Sequence, residues 1–140
     1  MASYQKFNQF MDDLSRAKHD FSSATYKVML TNVAPVATNQ VKADITEIAA
    51  GNGYTAGGTA TTITLSNSSG VEKITAQNVT FTASGGSIGP FRYAVVYNDT
   101  QAAPVKPLVC FFDYGSSITL ASGETFTWVP DATNGLFTVG

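Results

Sequence analysis

The chain has little of what most catalytic and metal sites require. Its 140 residues include one cysteine, one histidine and 13% charged residues, about half the usual share of charge. A lone cysteine excludes an intrachain disulfide, and the apolar neighbours of Cys110, Val109, Phe111 and Phe112, predict a buried strand. One histidine and one cysteine cannot form a structural zinc site, and no Asp-x-Asp-x-Asp calcium loop is present. We therefore expect neither a metal nor a cofactor.

Charge of either sign is also scarce. The formal net charge is −2 and the eight basic residues are scattered, which argues against nucleic acid as a partner. No segment approaches the ~20 consecutive apolar residues of a membrane span, and the first twenty residues lack the apolar core of a signal peptide. We expect a protein that folds in a cytoplasm and does not enter a membrane.

Candidate catalytic groups are few. His19 follows a predicted amphipathic helix with no nucleophile beside it, which predicts a solvent-facing residue. The carboxylates that could form a glycosidase pair fall at turns, where such groups accept local backbone N–H bonds; they are Asp99, Asp113, Glu124 and Asp131. The sequence therefore predicts a protein that is not an enzyme.

Apolar and polar residues alternate through most of the chain. Residues 113–130 predict a β-hairpin, with Ile118 and Leu120 before a turn at residues 122–124 and Phe126 and Trp128 after it. Further strands are predicted over residues 24–32, 59–66, 71–83, 91–98, 108–114 and 136–139. The strand at 91–98 is the strongest candidate for a central position, and a slip in alternation predicts a bend near Gln77 and Asn78. The predicted fold is all-β: a jelly-roll-like two-sheet sandwich of about eight strands with a short N-terminal amphipathic helix.

The N-terminal segment has a different period. Residues 3–19 predict a helix with Ser3 as its N-cap and one apolar stripe; the stripe is Phe7, Phe10, Met11, Leu14 and Lys18. Residues 1–22 then form an N-terminal helix or arm and residues 23–140 a single sandwich domain. The stripe would pack on the sandwich of its own chain or dock on a neighbouring one.

Residues 41–50 and 51–58 form the least regular part of the sequence. The first range predicts a turn followed by a short strand. The second holds four of the twelve glycines and predicts a loop in which glycine permits positive φ or close approach of another backbone. Tyr54, the bulky residue of this loop, would lie over its own domain or anchor a partner. As a hypothesis, the interface anchors are Phe7, Phe10, Met11, Leu14 and Tyr54.

Several sequence runs carry a family resemblance. They are Thr-Asn-Val-Ala-Pro at 31–35, Ala-Asp-Ile-Thr-Glu-Ile at 43–48, Gly-Asn-Gly-Tyr-Thr-Ala-Gly-Gly at 51–58, Phe-Asp-Tyr-Gly at 112–115 and Ala-Ser-Gly-Glu-Thr at 121–125. Together they resemble the jelly-roll cement or head-decoration proteins of tailed bacteriophages. The resemblance implies a virion protein, on the capsid exterior, that binds major capsid protein subunits at their joints and forms a dimer or trimer of its own.

Two other functions fit the same pattern. One is a tail, fibre or baseplate component, which would assemble into rings or fibres. The other is a carbohydrate-binding module that stacks a sugar on Trp128, Tyr54 or Tyr97. Trp128 is at an inward position of its predicted strand, which favours a place in the core.

Overall fold

The computed structural model describes residues 2–140 and confirms an all-β fold with one short helix. The helix α1 is Asn8–Ser15, and a 3-10 turn spans Lys42–Asp44. The strands are β1 Ser3–Lys6, β2 Tyr26–Thr31, β3 Thr59–Thr61, β4 Ile63–Ser68, β5 Val71–Ala76, β6 Val79–Thr82, β7 Ile88–Asn98, β8 Leu108–Leu120, β9 Thr125–Trp128 and β10 Phe137–Val139. All pairings between these strands are antiparallel.

A five-stranded sheet with the order β1-β8-β7-β2-β3 forms one layer of the fold. Its three middle strands are rich in β-branched and aromatic residues, which suit a pleated surface. β7 lies at the centre, as the sequence predicted.

Two smaller sheets face the five-stranded one. They have the orders β10-β5-β4 and β6-β9. Between them and the five-stranded sheet lies the main core, to which β2, β7 and β8 contribute from one side and β5, β6, β9 and β10 from the other. Trp128 and Cys110 are fully buried there, as predicted.

The five-stranded sheet is buried on its second face as well. A separate apolar cluster lies there, made of Phe7, Met29, Ile45, Tyr93, Val95, Tyr97, Leu108 and Phe111. The alternation of residues 91–97 predicts Phe91 on the same face as Tyr93, but Phe91 lies in the main core. The reason is a shift in the β7–β8 register between Phe91 and Tyr93, which reverses the direction of side chains beyond it.

Two predicted strands are each divided between sheets. Residues 59–66 form β3 in the large sheet and β4 in the three-stranded sheet, with Thr62 between them. Residues 71–83 form β5 and β6, and the predicted bend at Gln77 and Asn78 is the break between them. A strand that changes sheets in this way forms a corner of the sandwich.

The predicted hairpin at residues 113–130 is wrong. β8 pairs with β7 and β1, whereas β9 pairs with β6 in another sheet. The turn itself is present, because the backbone N–H of Glu124 donates to the carbonyl of Ala121 (2.9 Å). The chain therefore crosses from one layer to the other at this turn. The residues before and after the turn alternate between apolar and polar because both strands face the same core.

The predicted helix over residues 3–19 is also corrected. Residues 3–6 are the edge strand β1, paired with β8, and the backbone N–H of Phe7 donates to the carbonyl of Val109 (3.2 Å) to extend that pairing. The helix begins after Phe7, which is extended and has no side-chain cap, so Ser3 is not an N-cap. It ends before Ala17, which has a left-handed φ of 60°, so Lys18 lies outside the helical stripe.

The segment between β2 and β3 covers the second face of the large sheet. The predicted turn at residues 41–50 is the 3-10 turn, and the predicted strand is reduced to one bridge between Glu47 and Thr31.

In the glycine-rich loop, the predicted close approach of another backbone is confirmed. A Cβ built on Gly58 would lie 1.9 Å from the carbonyl oxygen of Val28.

Candidate functional site

An apolar groove opens at one end of the main core. It lies between the segment that follows α1 and the inward face of the three-stranded sheet, and its volume is about 570 Å³. Its apolar lining comprises Leu14, Ala17, Phe21, Leu65, Ile74, Phe137 and Val139. A concave surface lined mainly by apolar groups is suited to burying apolar groups of a partner.

The strand register explains why the groove exists. Leu65 and Phe137 are both cross-strand partners of Ile74, so the three side chains share one face of the sheet. Ile74 and Phe137 are buried, but Leu65 and Val139 are 40% and 43% exposed. The inward face of this sheet therefore continues beyond the part of the core that covers it.

The prediction that His19 faces solvent is wrong. His19 is buried and forms part of the groove wall. Its ring packs against Phe10 and Phe21, and it is buried. The Nδ1 atom is 3.3 Å from the hydroxyl of Tyr26, and Nε2 has no hydrogen-bond partner among residues 2–140. Burial lowers the pKa of His19 from its ordinary value to about 4, so the ring is neutral at neutral pH. It contributes an apolar aromatic surface to the groove.

The five predicted anchors are in different places. Phe7, Phe10 and Tyr54 are buried in the chain's own cores, whereas Met11 is 50% exposed and Leu14 is half-buried in the groove. The structure therefore leaves Met11 and Leu14 as the members of this set with surface to offer a partner.

Tyr54 has its own structural role. Its hydroxyl donates to Oε1 of Glu47 (2.8 Å) and accepts the backbone N–H of Leu30 (3.0 Å). Its ring lies near that of Phe81 in the main core. Tyr54 thus attaches the glycine-rich loop to its own domain, which is one of the two predicted alternatives.

The four candidate carboxylates are held by local partners. Asp113 forms a bidentate pair with Arg92 (2.8 and 3.1 Å), which lowers the pKa of Asp113. Burial alone would raise the pKa of Asp99, but Lys106 and Lys27 outweigh it and the pKa is lowered. Asp131 accepts backbone N–H groups at its own turn, which lowers its pKa too.

Glu124 accepts the backbone N–H of Ala121 (2.6 Å) across the turn between β8 and β9. Asp99, Glu124 and Asp131 therefore lie at strand ends or turns, as predicted. The prediction is wrong for Asp113, which lies inside β8 and pairs across strands with Arg92 of β7. In residues 2–140 no three His, Cys, Asp or Glu side chains come together in a metal-binding arrangement.

The aromatic residues considered as a sugar platform are buried. Trp128 and Tyr97 have no exposed surface, and Tyr54 is nearly covered. Stacking of a sugar requires an exposed ring face, which these three side chains do not have in this conformation.

Comparisons with protein-family models, with curated proteins and with solved structures found no match. None of the helices described is long and apolar enough to cross a membrane. Geometry is therefore the basis for assigning a function to the groove.

Nothing in the sequence indicated the groove. Leu65 and Val139 lie in predicted strands and have the same apolar character as core positions. They are exposed because the inward face of the three-stranded sheet extends beyond the part of the core that packs on it. How far it extends is determined by how the layers assemble. Leu14 was identified because it follows the helical period of its segment.

Proposed function

We propose that this chain is a non-enzymatic structural protein of a tailed-phage virion. In this proposal it binds the outer surface of the capsid and cements joints between major capsid protein subunits, after assembly in the host cytoplasm. The observation that carries the proposal is the apolar groove, with Leu65 and Val139 partly exposed in its wall. The resemblance of the sequence runs described above supports the class of partner.

The groove suits the task of a cement protein. One side of it is formed by paired strands. The aromatic rings that pack together beneath its surface are Phe10, Phe21, Tyr26 and Phe137. A rigid surface loses little conformational entropy on binding. A protein that bridges two subunits also gains from the high effective concentration at its second contact, so each contact can be modest.

A binding assay with phage heads tests the proposal. The purified chain is mixed with expanded, DNA-free heads of the phage that encodes it, and with unexpanded procapsids, and each mixture is sedimented. We expect the chain to pellet with expanded heads at a fixed ratio to the major capsid protein. Labelling of tails and not heads in electron micrographs would overturn the capsid position and support the tail or baseplate alternative.

Two matched variants test the groove. Val139→Asp places a charge in the groove wall, and Val33→Asp places the same charge on a residue of similar exposure outside the groove lining. We expect Val139→Asp to weaken head binding at least about ten-fold, because the apolar contact is replaced by a charge that must be desolvated. Val33→Asp should bind as the unmodified chain does. Equal binding by all three proteins would remove the groove from the interface.

A further inference from the structure

The outermost strand of the three-stranded sheet has an unusual edge. β4 is six residues long and pairs with β5 on one side only. The other strands at sheet edges have four residues or fewer. Long edge strands are templates for pairing with a further strand.

The hydrogen-bonding direction of β4 can be followed along the strand. The backbone N–H of Gln77 donates to the carbonyl of Thr62 (3.0 Å), across the start of the β4–β5 pairing. Because bonding direction alternates along an antiparallel strand, the backbone groups of Thr64 and Ser66 face β5. The N–H and C=O groups of Ile63, Leu65 and Asn67 therefore face away from it, and no strand of residues 2–140 pairs with them.

β4 lacks the features that normally protect an edge. Its sequence, Ile-Thr-Leu-Ser-Asn-Ser, contains no charged residue, proline or glycine. Charged side chains, prolines and bulges are the usual means of preventing edge pairing. The register with β5 is continuous over all six residues, so the edge is not interrupted by a bulge.

We propose that β4 is a self-association edge at which two copies of this chain pair antiparallel about a two-fold axis centred on Leu65. In this register Ile63, Leu65 and Asn67 face Asn67, Leu65 and Ile63 of the second copy. Each of these residues exchanges both of its outward backbone hydrogen bonds with its partner. A register centred elsewhere on β4 would leave some of these outward groups unpaired.

The side chains favour a second copy as the occupant. Leu65 would contact its symmetry mate on the groove face and lose its exposed surface. On the other face Thr64 would lie opposite Ser66 of the second copy, a pairing of hydroxyl side chains that stabilises antiparallel strands. The interface is thus isologous, with the same surface used by both copies.

The charges on the neighbouring strand do not oppose this pairing. Glu72 and Lys73 lie one strand further in, on β5. In the joined sheet they are three strand spacings from their symmetry mates, about 14 Å, which exceeds the screening length of about 8 Å at physiological salt.

The test measures the mass of the isolated chain by sedimentation over a range of concentrations. We expect a monomer–dimer equilibrium, and Leu65→Lys should raise its dissociation constant at least about ten-fold, because two lysines would face each other at the axis. The matched control is Val139→Lys, which adds the same charge to a similarly exposed groove residue on the opposite edge of the sheet. It should leave the dimer intact.

A second variant avoids any change of charge. Asn67→Pro removes an outward N–H that β5 does not use, a position at which an edge strand tolerates proline. We expect weaker dimerisation with thermal unfolding close to that of the unmodified chain. A monomer at all concentrations, or equal weakening by Leu65→Lys and Val139→Lys, would overturn the assignment of the edge.

Cross-linking gives a direct readout of the register. Leu65→Cys should form a covalent dimer with a short bismaleimide, whereas Val139→Cys should not, and the buried Cys110 does not compete. Absence of the Leu65→Cys dimer at concentrations where sedimentation detects dimers would refute this register. All these measurements use the chain without phage heads, so their failure and a failure to bind capsids are separate results.

Discussion

At the scale of single residues, His19 has an unusual environment for a titratable group. It is the sole histidine of the chain and lies among aromatic rings with its pKa lowered to about 4 by burial. An unfolded histidine has a pKa of about 6.5. As the pH falls between these two values, the unfolded chain binds a proton that the folded chain does not, so folding stability decreases.

We expect this effect to appear as a loss of about 2 to 3 kcal/mol in the free energy of unfolding between about pH 7 and pH 4.5. His19→Phe should lose less over the same range, because it keeps an aromatic ring and binds no proton. Urea unfolding of both proteins at the two pH values measures the difference, and carboxylate titration contributes equally to each. The same loss in both proteins would contradict the assignment.

Gly58 shows how tightly the glycine-rich loop lies on the sheet. Gly58 and Gly70 have almost the same φ, 81° and 84°, but a Cβ on Gly70 would meet nothing within 4 Å. Gly58→Ala should therefore destabilise the protein by at least about 3 kcal/mol, and Gly70→Ala by about 1 kcal/mol, the cost of positive φ alone. Chemical denaturation of the two variants isolates the clash with Val28. Similar losses in both would show that the loop can move away from β2.

At the scale of elements, one carboxylate joins separate parts of the segment between β2 and β3. Oε1 of Glu47 accepts the hydroxyl of Tyr54 (2.8 Å) and the backbone N–H of Gly57 (2.5 Å). Its Oε2 is 3.3 Å from Nζ of Lys42, which also lies over the ring of Tyr97. Glu47 thus cross-links the segment internally, and the hydroxyl of Tyr54 continues this link to β2 by accepting the backbone N–H of Leu30.

A double-mutant cycle measures the strength of this internal cross-link. Glu47→Ala should cost about 2 kcal/mol and Tyr54→Phe about 1 kcal/mol, with a coupling of at least about 0.5 kcal/mol because the two groups share a hydrogen bond. Glu47→Gln is the control: it keeps an acceptor and loses the ion pair with Lys42, so its cost should be below about 1 kcal/mol. Additive losses would mean that the hydrogen bond does not hold the segment.

The elements also show what the sequence could predict. Period-two alternation located most strands correctly, because side-chain direction is a local property. Partner choice is not local, so the alternation around residues 122–124 could not reveal that β8 and β9 belong to different sheets. For the same reason the helical spacing of Phe7 and Phe10 concealed an extended residue, Phe7, that belongs to the second apolar cluster.

At the scale of the whole molecule, the N-terminal segment shares the cores of the chain that follows it. Phe7 and Phe10 are fully buried and β1 completes the large sheet. We expect a chain lacking residues 1–20 to lose cooperative unfolding, measured by near-ultraviolet circular dichroism against denaturant. Phe10→Ala should cost about 3 to 5 kcal/mol, whereas Met11→Ala, at an exposed neighbour, should cost below about 1 kcal/mol. A truncated chain that still unfolds cooperatively would separate this segment from the core.

The groove and the β4 edge belong to this largest scale too. Leu65 takes part in both, since its side chain faces the groove and its backbone faces outward from the sheet. The sequence predicted that Leu65 lies in a strand. It could not predict that this strand is at the edge of its sheet, or that the core packs on only part of the sheet, because both depend on how the layers assemble. Surfaces of this kind follow from the assembled fold, and the composition predicted only that they would be weakly charged.

The pairing of β1 with β8 sets an order of events during protein synthesis. Ser3 lies opposite Asp113, so β1 leaves the ribosome well before the strand with which its backbone groups pair. Contacts so distant in sequence form late and slowly. The nascent chain therefore exposes the apolar residues beside β1 until more than a hundred further residues have emerged. Chaperones that bind such segments should increase the yield of folded protein.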